Sequence, residues 1–419
     1  MHSKLFLFSF FIFSALLAEP AEYKPPEKLR KASSFMYMVD IPKMQKKFSE
    51  PLPEWMKKRI EGELTAFKRK FSQEAIDKTH ERLTRVVGEK VSTRYRVIQG
   101  KVYRKGNDPY GMDRFFRTFP RISEFPGIPD VPDVDFILNH NDATPLASEP
   151  HNYWIAEDFK DQAPIMTFAR PNDAPYLISI PDRFTLAEWW KLCYIIRKAN
   201  ELYPWEEKTK TAFWRGQSND FARFGTPPET FEETAKLYSD QPRFRLCTLA
   251  AAHPETIDAG FNGAGFCATP HLIELIKPYC RKGVGQADHL THAYLPVVDG
   301  FTSTYPGYVW RLLSNSVAFK QDSPDSQWFY DALKPYVHYV PISYDMNDLL
   351  AQIEWAKQHE EECCQISENA QRFVLENLMI EDIYYYFLNI LQAYAKCQNY
   401  HLADLLGETE SDPEWLRIR

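Results

Sequence analysis

The stretch YVWRLLSNSVAFKQDS, residues 308–323, decides how the second half of the chain is read. Its first residues continue a helix that we expect over residues 306–314, with Pro306 in the first turn, where proline is tolerated. A turn and a short apolar run typical of a buried strand follow. We expect further strands at TAFW, residues 211–214, and HYVPI, residues 338–342. Strands that alternate with helices predict an α/β fold with a parallel sheet flanked by helices.

Helices are expected between and after these strands. Their predicted ranges are residues 242–252, 270–279, 306–314, 325–333, 347–358, 361–377 and 380–398. The sequence pattern changes after Pro204, and 419 residues exceed what one ordinary core accommodates. We therefore predict two domains with a boundary near residue 205.

The first half is expected to mix helices with extended segments. Apolar residues on one face predict a helix over residues 53–87, and alternation around Gly100 predicts a hairpin over residues 95–103. The proline-rich residues 119–135 should be extended. They lead into a short strand, residues 135–138, and a polar turn, residues 139–142. A helix capped by Thr185 is expected over residues 185–203.

The charge balance excludes one class of function. The chain has 50 Lys and Arg against 57 Asp and Glu, for a formal net charge of −7. Proteins bind nucleic-acid phosphates chiefly through Lys and Arg. We therefore expect no nucleic-acid partner.

The N-terminus resembles a targeting segment. Residues 5–17 read LFLFSFFIFSALL behind Lys4, and Ala18 precedes a polar run, the pattern of a cleaved secretory signal. A short uncleaved anchor is the alternative; a membrane-spanning helix needs roughly 20 residues. The seven cysteines show no metal-binding spacing, and no Asn-x-Ser/Thr sequon occurs.

Polar residues follow the predicted strand TAFW, namely Arg215, Gly216 and Gln217. In parallel α/β sheets, ligands bind beyond the carboxyl ends of the strands, where an arginine and loop amides can hold phosphate. Arg243 and Arg245 lie on the next predicted helix. An ordinary strand end with a surface arginine fits the same pattern, so the residues alone leave both interpretations open.

A second polar segment precedes the helix that we expect over residues 306–314. It consists of Thr302, Ser303, Thr304 and Tyr305. Hydroxyl and amide groups at a helix N-terminus favour an anion, and Arg311 could hold the same anion through two hydrogen bonds. A Ser/Thr loop that only caps a helix is the alternative.

Six stretches taken together resemble glycosyltransferase family 90, which includes the Rumi-like protein O-glucosyltransferases and bacterial lipopolysaccharide-modifying or capsule-associated transferases. They match in order and spacing, and are YPWEEKTKTAFWRGQ, RFRLCTLAAAHPETIDAGF, VVDGF, YVWRLLSNSVAFKQDS, FYDALKPYVHYVPI and DLLAQIEWAKQH. A weaker similarity extends back through VPDVDFILNHND, residues 131–142.

This resemblance implies a GT-B fold, with two Rossmann-like domains facing a cleft and C-terminal helices returning to the N-terminal domain. It implies inverting transfer from a UDP-sugar to a hydroxyl of a glycan or a protein, without a metal or other cofactor. Combined with the N-terminal pattern and the boundary near residue 205, it predicts a signal or anchor over residues 1–18, an acceptor-side domain over 19–204, a UDP-sugar-binding domain over 205–378, a return helix over 379–405 and a tail over 406–419.

The resemblance also implies roles for particular residues. Asp142 matches the catalytic base, and Gln217, Arg243 and residues 302–305 match positions that contact UDP. The animal enzymes carry an arginine shortly after the Ser/Thr loop, where this chain has Pro306 and Gly307. We expect Arg311 to supply that charge from a shifted helix, together with Arg215 and Arg243.

Other readings of the acidic and basic residues stay open. Without the family match, Asp142 is an ordinary Asx-turn residue, and His140 is the second choice for the base. Asp133 and Asp135 superficially resemble an Asp-x-Asp metal motif, but we expect Asp133 to flank the strand and Asp135 to lie on its polar face. We therefore expect no metal site.

Two classes of function remain. The first is a UDP-sugar-dependent glycosyltransferase, and the second is a carbohydrate-binding pseudoenzyme of the same fold without turnover. The N-terminal segment predicts export, to a bacterial periplasm or envelope or to the lumen of the endoplasmic reticulum. A location on the cytoplasmic face, with residues 5–17 as the membrane anchor, is the alternative.

Overall fold

The computed structural model of the chain describes residues 39–140, 162–218, 228–265 and 269–419. Residues 5–17 and the expected base Asp142 lie outside these ranges. None of the helices in the described ranges combines the length and the hydropathy that crossing a membrane requires.

Strands occur in both halves of the described chain. They are β1 (Ser92–Ile98), β2 (Lys101–Gly106), β3 (Val134–Asn139), β4 (Ile165–Thr167), β5 (Arg170–Pro171), β6 (Leu177–Ser179), β7 (Thr209–Gln217), β8 (Ile257–Gly263), β9 (His292–Val297), β10 (Val317–Gln321), β11 (Asp325–Ser326), β12 (Val340–Ile342) and β13 (Trp415–Arg417).

Helices precede, separate and follow these strands. The first group is α1 (Ile41–Ser49), α2 (Glu54–Glu63), α3 (Gln73–Val87), α4 (Met112–Phe116), α5 (Phe119–Ile122) and α6 (Arg183–Leu202). The second is α7 (Phe231–Tyr238), α8 (Pro242–Ala252), α9 (Pro270–Ile276), α10 (Gln286–His289), α11 (Gly307–Leu313), α12 (Leu349–Gln358), α13 (Glu360–Asn377), α14 (Ile380–Ala395) and α15 (Leu406–Ser411).

The first sheet is mixed and has the strand order β13-β2-β1-β3-β4-β6. Strands β1 and β2 form the predicted hairpin, with Ile98 opposite Lys101. Both turn residues, Gln99 and Gly100, have positive φ, which is the backbone of a tight two-residue hairpin turn. Strands β3, β4 and β6 run parallel to one another.

The second sheet has the order β12-β10-β9-β7-β8, and every pair in it is parallel. The α/β prediction with a parallel sheet is therefore confirmed. The predicted strand TAFW lies on β7, and β10 and β12 form within the apolar run after residue 315 and within HYVPI. Strands β8 and β9 were not predicted. Since the carboxyl ends of parallel strands share one edge, β7 and β9 deliver their following loops to the same place.

Two features connect the first half of the chain to the second, one through a separate two-stranded sheet and one through a long helix. Strand β5 pairs antiparallel with β11, so that Ser326 lies opposite Arg170. Helix α14 packs against α1, α2, α6 and β3, and the backbone N–H of Asp135 donates to Gln398 Oε1 at 2.7 Å. Residues 406–419, expected as a tail, contain α15 and β13, and β13 pairs with β2.

Several local predictions were wrong. The helix expected over residues 53–87 is divided into α2, a 3-10 turn (Thr65–Phe67) and α3. Lys70 before α3 has a φ of 65°, and Ser72 starts α3 by accepting from the N–H of Ala75. Helix α6 is capped by Asp182 rather than by Thr185, since the Asp182 carboxylate accepts from the Thr185 N–H at 2.9 Å.

Two further segments differ from expectation. Residues 325–333 contain β11 and a short 3-10 turn, Tyr330–Ala332, because residues 325–326 pair with a strand distant in sequence. The proline-rich residues 119–135 open with the helical turn α5, where Pro120 occupies a first-turn position that needs no N–H donor.

Candidate functional site

The carboxyl end of β7 carries Arg215, Gly216 and Gln217. Both terminal nitrogens of Arg215 contact Asp258 of the neighbouring strand. One lies 2.7 Å from a carboxylate oxygen of Asp258, and the other donates to the Asp258 carbonyl at 3.0 Å. A Cβ on Gly216 would come within 2.4 Å of the Trp214 indole, so this position excludes larger residues. The charge of Arg215 is thus balanced by the neighbouring strand β8.

Arg243, near the start of α8, reaches across to the ends of two strands. Its guanidinium donates to the Gln217 carbonyl at 2.6 Å and to the Asp299 carbonyl at 2.9 Å. A Cβ on Gly300 would lie 2.7 Å from an Arg243 terminal nitrogen, which explains a glycine there. Through these backbone carbonyls, Arg243 connects the end of β7 with the loop that follows β9, the two segments predicted separately from the sequence.

The hydroxyl loop follows β9 and leads into α11. Thr302 and Ser303 are buried, and the hydroxyl of Thr304 donates to the Val298 carbonyl at 2.6 Å. The Thr304 carbonyl accepts from Gln327 Nε2 at 2.9 Å. Tyr305 lies beside Phe168 of the first half of the chain, with ring centroids 6.2 Å apart. The loop is thus fixed by the fold and lies against both halves.

Arg311 is buried in the last turns of α11, with 5% of its surface exposed. One terminal nitrogen donates to the Gly307 carbonyl at 2.9 Å, and the guanidinium lies 4.2 Å from the Trp310 ring centroid. Its Nε has no hydrogen-bond partner, and no carboxylate pairs with it among the described residues. Burial, and secondarily repulsion from Arg243, lowers the pKa of Arg311 to about 9.

Arg243 and Arg311 therefore place two positive charges near one another at the edge where β7 and β9 end. A buried charge is stable only when it is paired or bound. The described side chains supply no carboxylate to Arg311, so the arrangement favours an anion with several oxygens, for which the planar guanidinium is the suited donor.

His289 lies against this cluster and was not selected from the sequence. Its Nδ1 donates to the Gly285 carbonyl at 2.9 Å, and its ring lies 5.4 Å from that of Trp310. Burial, then the charge of Arg311, lowers the pKa of His289 to about 3. His289 is therefore neutral at physiological pH and adds no charge to the site. Its place on the short helix α10 carries no sequence signal.

His140, Asp133 and Asp135, which were considered for the base or for a metal, lie on or next to strand β3 of the first sheet. His140 is fully buried at the end of β3, and burial, then Arg183 and Arg104, lowers its pKa to about 3. That makes it a weak base. Asp142 lies outside the described residues.

Asp135 was expected on a polar strand face but is buried, and both of its oxygens bind Arg94 at 2.7 Å. Asp133 accepts from the Gln99 N–H at 2.7 Å. Within the described ranges, no three His, Cys, Asp or Glu side chains lie close enough together to hold a metal ion.

Comparison with known proteins identifies the family. The family model described as Glycosyl transferase family 90 matches residues 55–225 and 237–414. Protein O-glucosyltransferase 3 of Mus musculus is 28% identical over 313 residues, which is 73% of this chain and 55% of that protein. Protein O-glucosyltransferase 3 of Homo sapiens is 33% identical over 195 residues, 46% of this chain and 34% of that protein.

A third relative matches over more of its own length. Protein O-glucosyltransferase 1 of Bos taurus is 24% identical over 371 residues, which is 86% of this chain and 84% of that protein. The chain thus spans about half, or less, of the type 3 relatives and most of the type 1 relative. Since the family model covers most of the chain on both sides of residue 205, the chain belongs to glycosyl transferase family 90.

Proposed function

We propose that this protein transfers a sugar from a UDP-sugar to a hydroxyl group, with inversion and without a metal. The observation that carries the proposal is Arg311, a buried guanidinium without a carboxylate partner among the described residues, beside Arg243 at the carboxyl ends of parallel strands. A glycosyl transfer from a nucleotide sugar requires stabilisation of a leaving diphosphate, and that anion matches this site.

The donor diphosphate would lie between Arg243, Arg311 and the loop of Thr302, Ser303, Thr304 and Tyr305. Two guanidinium groups supply the positive charge that a divalent cation provides in metal-dependent transferases. Arg215 contributes less, because Asp258 already balances its charge. Gly216 and Gln217 shape the rim, since the Gln217 carbonyl positions Arg243.

Asp142 is the proposed base. It follows β3 by three residues in the sequence, and the base of an inverting transfer removes a proton from the acceptor hydroxyl as the new bond forms. In this arrangement the two sheets correspond to two Rossmann-like domains of a GT-B fold, divided near residue 205. The acceptor would then approach from residues 19–204, and the donor would bind residues 205–378.

The acceptor is a hydroxyl of a protein or of a glycan. The relatives are named protein O-glucosyltransferases, which supports a protein hydroxyl, whereas lipopolysaccharide or capsule is the alternative. Residues 5–17 support export or attachment to a membrane. A pseudoenzyme that binds sugars without turnover is the competing function.

UDP release by the purified protein in the presence of a UDP-sugar and an acceptor tests the proposal. Asp142→Asn should reduce turnover by about 10²–10⁴-fold and leave UDP affinity unchanged, because a base acts in the transition state. Turnover near the wild-type rate would remove Asp142 from the mechanism. No UDP release from the wild type, with UDP binding retained, would favour the pseudoenzyme.

A further inference from the structure

A cavity of about 530 Å³ lies beyond the carboxyl ends of β10 and β12. It is lined by Tyr308 at the start of α11, Lys320 at the end of β10, and the segment after β12 that leads into α12. The arginine cluster is not part of its lining. Pockets of this size hold small molecules, and this volume exceeds what one sugar ring needs.

The hydroxyl of Tyr308 is the first sign of a ligand. Tyr308 is 1% exposed, and its hydroxyl has no hydrogen-bond partner among the described residues. Its ring packs between those of Tyr330 and Tyr339, with centroids 5.4 and 6.4 Å away. A buried hydroxyl without a partner costs free energy, and a bound ligand that offers a hydroxyl would satisfy it.

The charge of the lining restricts what that ligand can be. Four carboxylates line the cavity, those of Asp322, Asp325, Asp331 and Asp348. Arg59 pairs with Asp331 at 2.9 Å, and Lys320 lies 3.8 Å from Asp299. With Asp325 left aside, because it makes a further contact, the carboxylates described around the cavity still outnumber these two cations, so the lining disfavours a phosphate ligand. Carboxylates readily accept hydrogen bonds from neutral hydroxyl groups.

Aromatic rings supply the other half of a carbohydrate site. Tyr330 and Tyr339 line the interior, and Tyr336 stands at the mouth with 46% of its surface exposed. Tyrosine rings provide apolar faces for the C–H groups of a sugar, while their hydroxyls remain available for polar contacts. The lining thus combines apolar faces with acceptors, as an uncharged polyhydroxyl ligand requires.

We propose that this cavity binds a neutral sugar ring of an acceptor that reaches across from residues 19–204, the part of the chain that contributes Asn172 to the lining, and that this ring lies outside the arginine cluster proposed for the donor diphosphate. The Tyr308 hydroxyl, the acidic lining and the tyrosine rings carry the proposal. Only the assignment of this sugar to an acceptor rests on the proposed function; the binding of a sugar is inferred from the cavity itself. An acceptor that already carries a sugar would be held by that ring while another hydroxyl reacts.

Saturation-transfer NMR with methyl β-glucoside as the probe tests this site, with and without saturating UDP. We expect the glucoside to bind in both conditions and glucuronate, which carries a carboxylate, to bind more weakly. Tyr308→Phe should weaken glucoside binding by about 3–10-fold, as expected for one neutral hydrogen bond. Tyr294→Phe is the matched control, since Tyr294 also has a buried hydroxyl without a described partner but does not line the cavity.

Tyr336→Asn gives a second variant that should fold, because Tyr336 is exposed and has a φ of 56°, which asparagine adopts readily. It should also weaken glucoside binding. The proposal is overturned by no glucoside signal, by displacement of the glucoside with UDP, by equal binding of glucuronate, or by equal effects of Tyr308→Phe and Tyr294→Phe. If the wild-type protein binds the glucoside but does not bind UDP, that result would contradict the proposed donor site and leave the sugar site standing.

Discussion

Two buried arginine clusters in this protein have opposite electrostatic balance. In the first sheet, Asp135 lies between Arg94 and Arg96, with contacts of 2.7 and 2.8 Å. At the edge of the second sheet, Arg311 is equally buried but has no carboxylate partner among the described residues. The first cluster is balanced by its own carboxylate, whereas none of the described carboxylates balances Arg311. The arginines are equally buried and differ in charge balance, and the proposed donor site rests on that difference.

Each cluster also has a neutral histidine beside it. Burial, then the charge of Arg94, lowers the pKa of His80 to about 4. Burial and Arg311 lower that of His289 to about 3. The histidines are thus alike, and the clusters differ in whether carboxylates pair with their buried arginines.

The largest effect should come from breaking the balanced cluster. Asp135→Asn leaves two buried guanidinium groups without their shared carboxylate, and we expect a loss of about 3–5 kcal/mol in the free energy of unfolding. Denaturant titration measures it. Asp133→Asn, two residues away, should cost less than about 1 kcal/mol, because it affects one hydrogen bond. Equal stabilities of the two variants would contradict the comparison.

The unbalanced cluster should respond in the opposite way. Arg311→Met keeps an apolar stem and removes an uncompensated buried charge, so the free energy of unfolding should stay equal or rise. Calorimetric titration should show UDP binding weakened by about 1.5–3 kcal/mol, the range for a hydrogen bond to a charged group. Arg215→Met is the matched control, since it breaks the pair with Asp258 and should reduce stability more than UDP affinity. An unchanged UDP dissociation constant in Arg311→Met would remove Arg311 from the donor site.

The buried histidines should make stability depend on pH, with a change per pH unit that is smaller than the two effects above. Below pH 6.5 the unfolded chain protonates His289, whereas the folded protein does so only near pH 3. The free energy of unfolding should therefore fall as the pH drops between these values, by about 1.4 kcal/mol per pH unit for each such histidine. His289→Gln should remove one histidine's share of that slope. A slope identical to that of the wild type would show that His289 titrates normally in the folded state.

The last prediction is that removing divalent metal ions has no effect on the rate of sugar transfer. If Arg243 and Arg311 neutralise the diphosphate, excess EDTA should leave the rate of sugar transfer unchanged. Inactivation by EDTA that Mn²⁺ or Mg²⁺ reverses would show that the two arginines do not suffice.

The sequence predicted elements whose signals are local. Strands β7, β10 and β12 are short apolar runs, and the β1–β2 turn has its own residue pattern. Strands β8 and β9 were missed because Gly260 and Pro296 interrupt their apolar runs. The correct pairings of Arg215 with Asp258 and of Asp135 with Arg94 depend on strand register, which no local pattern contains.

In the candidate site, too, residues with a local sequence signal were predicted and contacts that depend on the fold were not. Arg243, Arg311 and residues 302–305 were selected from motifs and the family resemblance, and the fold brings Arg243 to the ends of both segments. The sequence could not predict that the charge of Arg215 is balanced, because its partner Asp258 lies on the neighbouring strand β8. Tyr308 was quoted only as part of a matching stretch, and its hydroxyl becomes notable only once the surrounding cavity is known.

The pairing of β13 with β2 has a consequence for the order in which the chain folds during synthesis. All strands of the parallel sheet lie within residues 209–342, so that sheet can form as soon as those residues have left the ribosome. The first sheet is begun earlier but needs residues 415–417 to cover the edge of β2 and Gln398 to bond to β3. The sheet that is started first is therefore completed last. Until then, β2 presents an uncovered edge to any other nascent strand.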